Sequence, residues 1–236
     1  MYALPASELQ SAFKAAWGDA AVQFEASSTA GAESLTAVPV RLEPLDKGRY
    51  ALIIRETSPG AAHAALGAVS VAYLRRDGAA WRSLGLWREI AWIGESGGGA
   101  ITLSVRRDLA ARPLLLVRAP HLGQGDEEVS AAAVLLGARS PKALGVLPLD
   151  GDNTGAGYPD QQAFSYHAVI VPSPGALLAV RYRGWTALGN GEPQRPFRRT
   201  IAFRIRRGCL APVGRLGIPG GDYPTTFNCK AAASPP

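Results

Sequence analysis

The stretch AVSVAYLRRDGAAWRSLGLWR, residues 68–88, decides the fold class. Two runs rich in Val, Leu, Tyr and Trp flank an Asp-Gly pair at positions 77 and 78. Apolar runs on either side of Asp-Gly are typical of a β-hairpin, because this pair favours a tight turn between antiparallel strands. We therefore expect strands over 68–75 and 80–88, joined by a turn at Arg76-Asp77-Gly78.

Outward from this hairpin, short apolar runs alternate with clusters of Gly, Pro, Asp and Asn, which is typical of an all-β chain. One segment differs: residues 7–17, SELQSAFKAAW, show helical periodicity. Ser7 and Gln10 have the spacing of a capping box, and Gly18 is a typical helix end. The sequence predicts a single short N-terminal helix followed by strands.

The run YALIIR at 50–55 recurs as PLLLVR at 113–118 and as ALLAVR at 176–181, with starts 63 residues apart both times. Further strand candidates surround each copy: 36–42, 67–75 and 80–88; 101–106, 129–137 and 142–149; 165–171, 199–207 and 209–214. We therefore expect about twelve antiparallel strands in three four-stranded meander units, at about 36–92, 100–150 and 165–214. The alternative is a chance recurrence of short apolar strands that end in Arg.

A repeat of this length is typical of propeller blades. Three blades do not normally close a ring, so a trefoil-like barrel, a partial propeller completed by another chain and a two-sheet sandwich all remain open. We expect one all-β domain over 1–236, with a C-terminal tail at 215–236.

Cysteine usage favours an exported protein. Cys209 and Cys229 are the only cysteines, and a disulfide between them would close a loop of about 20 residues and stabilise by about 3 kcal/mol. The alternatives are two buried thiols in a cytosolic protein, or zinc, which would need further ligands that the surrounding sequence lacks. The first residues, MYALPASELQ, lack a secretory signal, as a mature segment placed after an initiator Met also would. We expect a periplasmic or secreted protein without membrane insertion, since no run of 18 apolar residues occurs.

The stretch LDGDNTGAGYPD, residues 149–160, has the oxygen spacing of a calcium loop at Asp150, Asp152 and Thr154. An EF-hand is excluded, because Gln161 stands where a bidentate carboxylate is required and no helices flank the loop. Residues 152–160 resemble the calcium loop of FG-GAP and VCBS β-propeller repeats, although Ala156 replaces the central Asp. The resemblance implies Ca²⁺ ligands at Asp152 and Asp160, with Thr154 in place of the family's Asn. Together with the oxygen spacing, it predicts a Ca²⁺ site with ligands Asp150, Asp152, Thr154 and Asp160. The alternative is a metal-free turn.

Catalytic motifs are weak. Gly94–Gly98 spells G-x-S-x-G, but a strand follows where a nucleophile elbow requires a helix. A triad of Ser96, Asp126 or Asp152, and His167 can be written, and nothing in the local sequence supports it. The three histidines, His63, His121 and His167, are scattered over the chain, which argues against zinc. We expect no catalytic residue, with an envelope-polymer hydrolase as the alternative function.

Basic residues give the most usable functional feature. Strand alternation groups Arg181 with Arg183 and Arg204 with Arg206, each pair opposite apolar side chains. If the two strands are neighbours, the four arginines share a solvent face near Trp185. Such a face attracts an acidic protein surface or an anionic polymer, and its alternative is a merely solvated surface.

These observations favour one class of function. The formal charge is +6, lysine occurs only four times, and basic residues fall in all three units without a nucleic-acid module. We expect a non-enzymatic binding protein with no cofactor: an inhibitor or immunity-type protein that neutralises a secreted toxin or enzyme. The further alternative is a calcium-dependent glycan-binding module. The oligomeric state is open.

Overall fold

The computed structural model describes residues 5–18, 23–28, 31–57, 66–95, 101–122, 127–155, 162–188 and 192–219. These residues form one helix, α1 (Ala6–Trp17), and thirteen strands. The strands are β1 (Gln23–Ser28), β2 (Gly31–Pro44), β3 (Arg49–Thr57), β4 (Leu66–Asp77), β5 (Ala80–Glu95), β6 (Thr102–Arg106), β7 (Leu114–Leu122), β8 (Glu127–Leu136), β9 (Pro141–Asp152), β10 (Ala163–Val171), β11 (Leu178–Ala187), β12 (Arg195–Arg206) and β13 (Cys209–Pro212).

All strand pairs are antiparallel and join strands that follow one another in the sequence. Strands β1–β5 form one sheet and β6–β13 form another. The predicted all-β class, with antiparallel meanders and one short N-terminal helix, is confirmed. We call β2–β5 the first unit, β6–β9 the second and β10–β13 the third. The second and third units share one sheet because β9 pairs with β10.

The joint between these two units is short. It consists of three residue pairs: Asp150 with His167, Gly151 with Tyr166, and Asp152 with Ser165. A Cβ atom on Gly151 would lie 2.6 Å from the Tyr166 ring, and one on Gly184 would lie 2.7 Å from Tyr166 Cα. Glycine on each neighbouring strand therefore leaves the space that Tyr166 occupies at the joint.

The layers follow from strand alternation, which sends successive side chains to opposite faces. On β3, Leu52 and Ile54 belong to the core shared with α1, whereas Ala51 and Ile53 belong to the core shared with the second unit. Burying such a side chain contributes about 1.5–3 kcal/mol. The first unit is thus packed on both faces, between the helix and the second unit.

Strand β7 is also buried on both faces. Leu115 and Val117 pack against the first unit, and Leu114 and Leu116 pack in a core with the third unit. The order of layers is therefore α1, first unit, second unit, third unit. The second unit is the middle sheet layer, which explains why its apolar run PLLLVR has no polar alternation.

The helix differs from the prediction at its start. Pro5 is the N-cap residue and makes no side-chain capping bond, so Ser7 lies inside the helix and the capping box is wrong. The N–H groups of Glu8 and Leu9 bond to the Pro5 carbonyl instead. Gly18 ends the helix as predicted, with φ 98°. No helix in the described ranges is long and apolar enough to cross a membrane.

The hairpin turn lies one residue later than predicted. Asp77 pairs with Ala80, so Gly78 and Ala79 are the two turn residues. Gly78 has φ 61°, which glycine adopts without the steric cost that a Cβ atom brings. Strand β1 was not predicted, because its sequence QFEASS has too few apolar residues to show alternation.

Candidate functional site

The third unit brings the predicted arginines together. Strands β11 and β12 are neighbours, with Arg181 opposite Thr200 and Arg183 opposite Arg198. Residues directly opposite each other project from the same face of a sheet, and so do residues two apart on one strand. We call the following five exposed residues the basic face: Arg181, Arg183, Arg198, Arg204 and Arg206. Val180, Tyr182 and Ile201 are buried on the opposite face, as strand alternation predicts.

The basic face lacks local counter-charges. None of its five arginines makes an ion pair with another residue in the described part of the chain. Residues 178–215 contain nine arginines and one carboxylate, Glu192, whereas the whole chain is only +6. The rest of the chain is therefore slightly acidic overall; basic residues do fall in all three units, but the excess of arginine over carboxylate is greatest in the third. A count of charges by unit would have shown this.

A row of polar side chains crosses four strands on this face. Asp150, His167, Arg183 and Arg198 stand directly opposite one another on β9, β10, β11 and β12. The His167 ring contacts Asp150 Oδ1 through Nδ1, which carries the proton because an ionised carboxylate only accepts. Arg118 Nη2 lies 3.5 Å from Asp150 Oδ2. The carboxylate therefore compensates charge at one end of the row and leaves Arg183 and Arg198 facing each other.

An open groove with a volume of about 870 Å³ adjoins this row. Trp185, which is partly buried, stands opposite Ser165 on one side and Pro196 on the other. We call this depression the Trp185 groove. Its lining residues are Ser165, Tyr166, His167, Arg183, Gly184, Trp185, Gln194, Pro196, Phe197 and Arg198. Guanidinium forks bind oxyanions, and an indole ring offers a flat apolar surface, so the groove combines both properties.

The predicted metal ligands lie in different settings. Asp150 and Asp152 belong to β9 and not to a loop, and Asp150 is engaged by His167. Asp152 Oδ1 accepts hydrogen bonds from Thr154 N at 2.9 Å and Thr154 Oγ1 at 2.6 Å. Partial burial acts to raise the pKa of Asp152, but the bonds from Thr154 and Ser165 together hold it below its usual value. These bonds describe a turn closed by a carboxylate.

Asp160 lies outside the described residues, so the calcium site and the propeller-loop resemblance stay predictions. Among the described residues, no group of three or more Asp, Glu, His or Cys side chains is arranged to hold a metal ion.

Most of the catalytic candidates cannot be placed relative to one another. Ser96, Asp126 and His63 lie outside the described residues. Of the described carboxylates, Asp150 is the one that contacts His167, and Asp152 does not take that place. Sequence reasoning missed this partner because it depends on the register between β9 and β10.

The disulfide prediction concerns Cys209 and Cys229. Cys209 begins β13, opposite Arg206. Cys229 lies outside the described residues, so the disulfide stays a prediction.

The first unit contains a polar cluster that the sequence did not indicate. Glu56 is fully buried, and the Ser70 hydroxyl donates to its Oε1. The Glu89 amide in turn donates to Ser70 Oγ at 2.8 Å, and Glu89 has φ 49°. Burial raises the pKa of Glu56 to about 7, a rise that the Ser70 hydrogen bond opposes and the Glu89 charge reinforces. The other oxygen, Oε2, has no hydrogen-bond partner among the described residues.

No protein-family model, curated protein or solved structure matches this chain. The proposals below therefore rest on its own residues and their geometry.

Proposed function

We propose that this chain is an exported, non-enzymatic binding protein that captures an acidic partner protein through the basic face. Its concrete form is an inhibitor or immunity-type protein that neutralises a secreted toxin or enzyme. The observation that carries the proposal is the set of five exposed arginines on neighbouring strands, without ion pairs among the described residues.

The size of the basic face suits a protein partner. Arg198 and Arg204 are six residues apart on β12, which corresponds to about 20 Å along a strand. Arg181 and Arg183 extend the face sideways onto β11. A standard interface buries about 800 Å² on each partner, and a face of these dimensions supplies a large part of that area.

The composition of the face favours a binding role over a merely solvated surface. Like charges directly opposite each other in a sheet are destabilising, and Arg183 stands opposite Arg198. An acidic partner would remove this repulsion. Arginine and tryptophan are also enriched among the residues that dominate binding energies, and Trp185 borders the face. Complementary charge would in addition speed the encounter with the partner.

The experiment measures binding of a fluorescent polyglutamate peptide of about 20 residues, used as an acidic polypeptide probe. We expect the double variant Arg181→Glu, Arg204→Glu to bind about tenfold more weakly or worse. The matched control is Arg75→Glu, Arg82→Glu, which reverses two exposed arginines that face each other across β4 and β5.

The control should lose about threefold at most, because its arginines are remote from the basic face. Equal losses in the two double variants would mean that only net charge matters, and the proposal would fail. A second probe is polyphosphate of the same charge. If the unaltered protein bound it much more tightly than polyglutamate, the partner would be an anionic polymer and not an acidic protein.

Export is part of the proposal and rests on the Cys209–Cys229 disulfide. Thiol titration of the unreduced protein in denaturant should find no reactive thiol. Two titratable thiols would remove the argument for an oxidising compartment.

A further inference from the structure

We infer that the Trp185 groove is a distinct binding site for a sugar that carries a phosphate or sulfate ester. This goes beyond the proposed function, because the ligand is a small sugar ester and the site occupies only one end of the basic face. Arg204 and Arg206 lie farther along β12 and do not line the groove.

Two guanidinium groups and a neighbouring imidazole are positioned around one place for a tetrahedral oxyanion. His167, Arg183 and Arg198 stand directly opposite one another on three adjacent strands, which are spaced about 4.8 Å apart. Arg183 is the central member, so an anion above it has the Arg198 guanidinium on one side and the His167 ring on the other. Guanidinium groups bind phosphate and sulfate oxygens through paired N–H groups, which makes such contacts stronger than those between neutral groups.

Asp150 orients the His167 ring through its contact with Nδ1. The carboxylate occupies Nδ1, so the remaining ring nitrogen, Nε2, is the one left for a ligand. The backbone N–H of Ala168 also donates to Asp150 Oδ1, at 3.3 Å. Arg118, 3.5 Å from the other carboxylate oxygen, supports the negative charge of Asp150. A carboxylate that holds the ring proton on Nδ1 leaves Nε2 of the neutral ring as an acceptor of defined direction, suited to a ligand hydroxyl, and Nε2 donates only when the ring is doubly protonated.

The remaining lining suits a hydroxyl-rich ring. Trp185 presents an indole beside Arg183, and aromatic surfaces pack against flat apolar faces such as those of sugar rings. Ser165 and Gln194 line the same groove and offer hydroxyl and amide groups for ring hydroxyls. The volume of about 870 Å³ falls within the range of small-ligand pockets.

The test titrates the protein with glucose 6-phosphate and with three comparison probes: inorganic phosphate, glucose and adenosine 5′-monophosphate. Isothermal titration calorimetry measures each affinity. We expect glucose 6-phosphate to bind at least about tenfold more tightly than phosphate or glucose alone, because only it contacts both the arginines and the indole. Arg198→Gln and Trp185→Leu should each weaken it by about tenfold or more.

The control variant Arg204→Gln removes an arginine of the same face outside the groove and should change glucose 6-phosphate affinity by less than about twofold. Arg198→Lys keeps the charge without the fork and should give an intermediate loss. Near-ultraviolet circular dichroism checks that each variant is folded.

Several results would overturn the inference. Absence of glucose 6-phosphate binding at about 10 mM, far above typical ligand affinities, would do so. Equal affinity for phosphate would indicate an adventitious ion only, and tighter binding of the adenosine nucleotide would assign the groove to nucleotides. Failure here leaves the polyglutamate result with Arg181 and Arg204 unaffected, so the two proposals can fail separately.

Discussion

Four arginines of the first two units and the five of the basic face are used in opposite ways. In the first two units, guanidinium groups converge on carboxylates: Arg41 and Arg107 on Glu43, and Arg49 and Arg112 on Asp46. In the third unit, the five arginines of the basic face have no ion pair among the described residues. Charge holds layers together in one region and faces solvent in the other.

In the first two units, the ion pairs connect neighbouring layers. Glu43 is 3% exposed on β2, and Arg107, which follows β6, reaches it from the second unit. Asp46 accepts hydrogen bonds from Arg49 and Arg112, and these bonds, Arg49 first, lower the pKa of that carboxyl. Both carboxylates therefore bind a guanidinium of the next layer. In the described part of the chain, no further layer packs on the third unit.

The largest expected effect concerns Glu56, a buried carboxyl of the first unit that accepts from Ser70. Its pKa is raised from 4.5 to about 7, so the folded state keeps the proton that the unfolded state loses. Stability from this group is complete below pH 4.5 and falls as pH rises to about 7. Glu56→Gln should remove this decline and stabilise at pH 8 by up to about 3 kcal/mol.

Urea unfolding at intervals between pH 4 and pH 8 measures this effect for both proteins. If the variant and the unaltered protein showed the same pH slope, Glu56 would not be the titrating group.

The second prediction tests the contact between layers. Glu43→Ala leaves two arginines without their carboxylate, and we expect a loss of about 2 kcal/mol. The estimate lies below the usual cost of breaking a buried pair, because the Arg107 side chain is 51% exposed. The control is Glu192→Ala in the third unit, which should change the free energy of unfolding by less than about 0.5 kcal/mol. Equal losses, measured by urea unfolding, would erase the distinction between the two regions.

The smallest predicted effects have opposite signs. Arg198→Glu places a carboxylate opposite Arg183 and should stabilise by about 0.5 kcal/mol. Arg112→Glu places a carboxylate against Asp46 and should destabilise by a similar amount. Both effects should shrink between 20 mM and about 500 mM salt, because screening weakens interactions between exposed charges. Thermal unfolding at the two salt concentrations measures them, and shifts of the same sign would contradict the comparison.

Prediction from sequence succeeded where apolar alternation is strong and failed at the ends of elements. The three related runs at 50–55, 113–118 and 176–181 overlap β3, β7 and β11 and contribute buried side chains to the cores. Glu56 was missed because it lies one residue beyond the predicted strand 50–55, where the apolar pattern stops. Arg198 follows the same alternation as Arg204 and Arg206 but was not grouped with them, because it precedes the apolar run at 201–205. The repeated runs therefore predicted the strands of the sheets but not the polar and charged residues near the ends of those strands.

The contact between Asp150 and His167 was missed for a different reason. It depends on which residue of β9 faces which residue of β10, and a shift of one position would send the side chains to opposite faces. Residues 156–161, between these two strands, lie outside the described ranges, and their sequence does not determine that register. The local sequence shows both residues, but it does not determine that they lie opposite each other.

Strand β7, apolar on both faces, has a consequence for synthesis. Chains emerge from the ribosome N-terminus first, so α1 is available to cover the outer face of the first unit as soon as that unit forms. The inner face, with Val69 and Val71, stays uncovered until β7 is made. The opposite face of β7, with Leu114 and Leu116, then stays uncovered until the third unit is made. Until the third unit is complete, the nascent chain therefore exposes apolar surface of the kind that makes partly folded chains prone to aggregation.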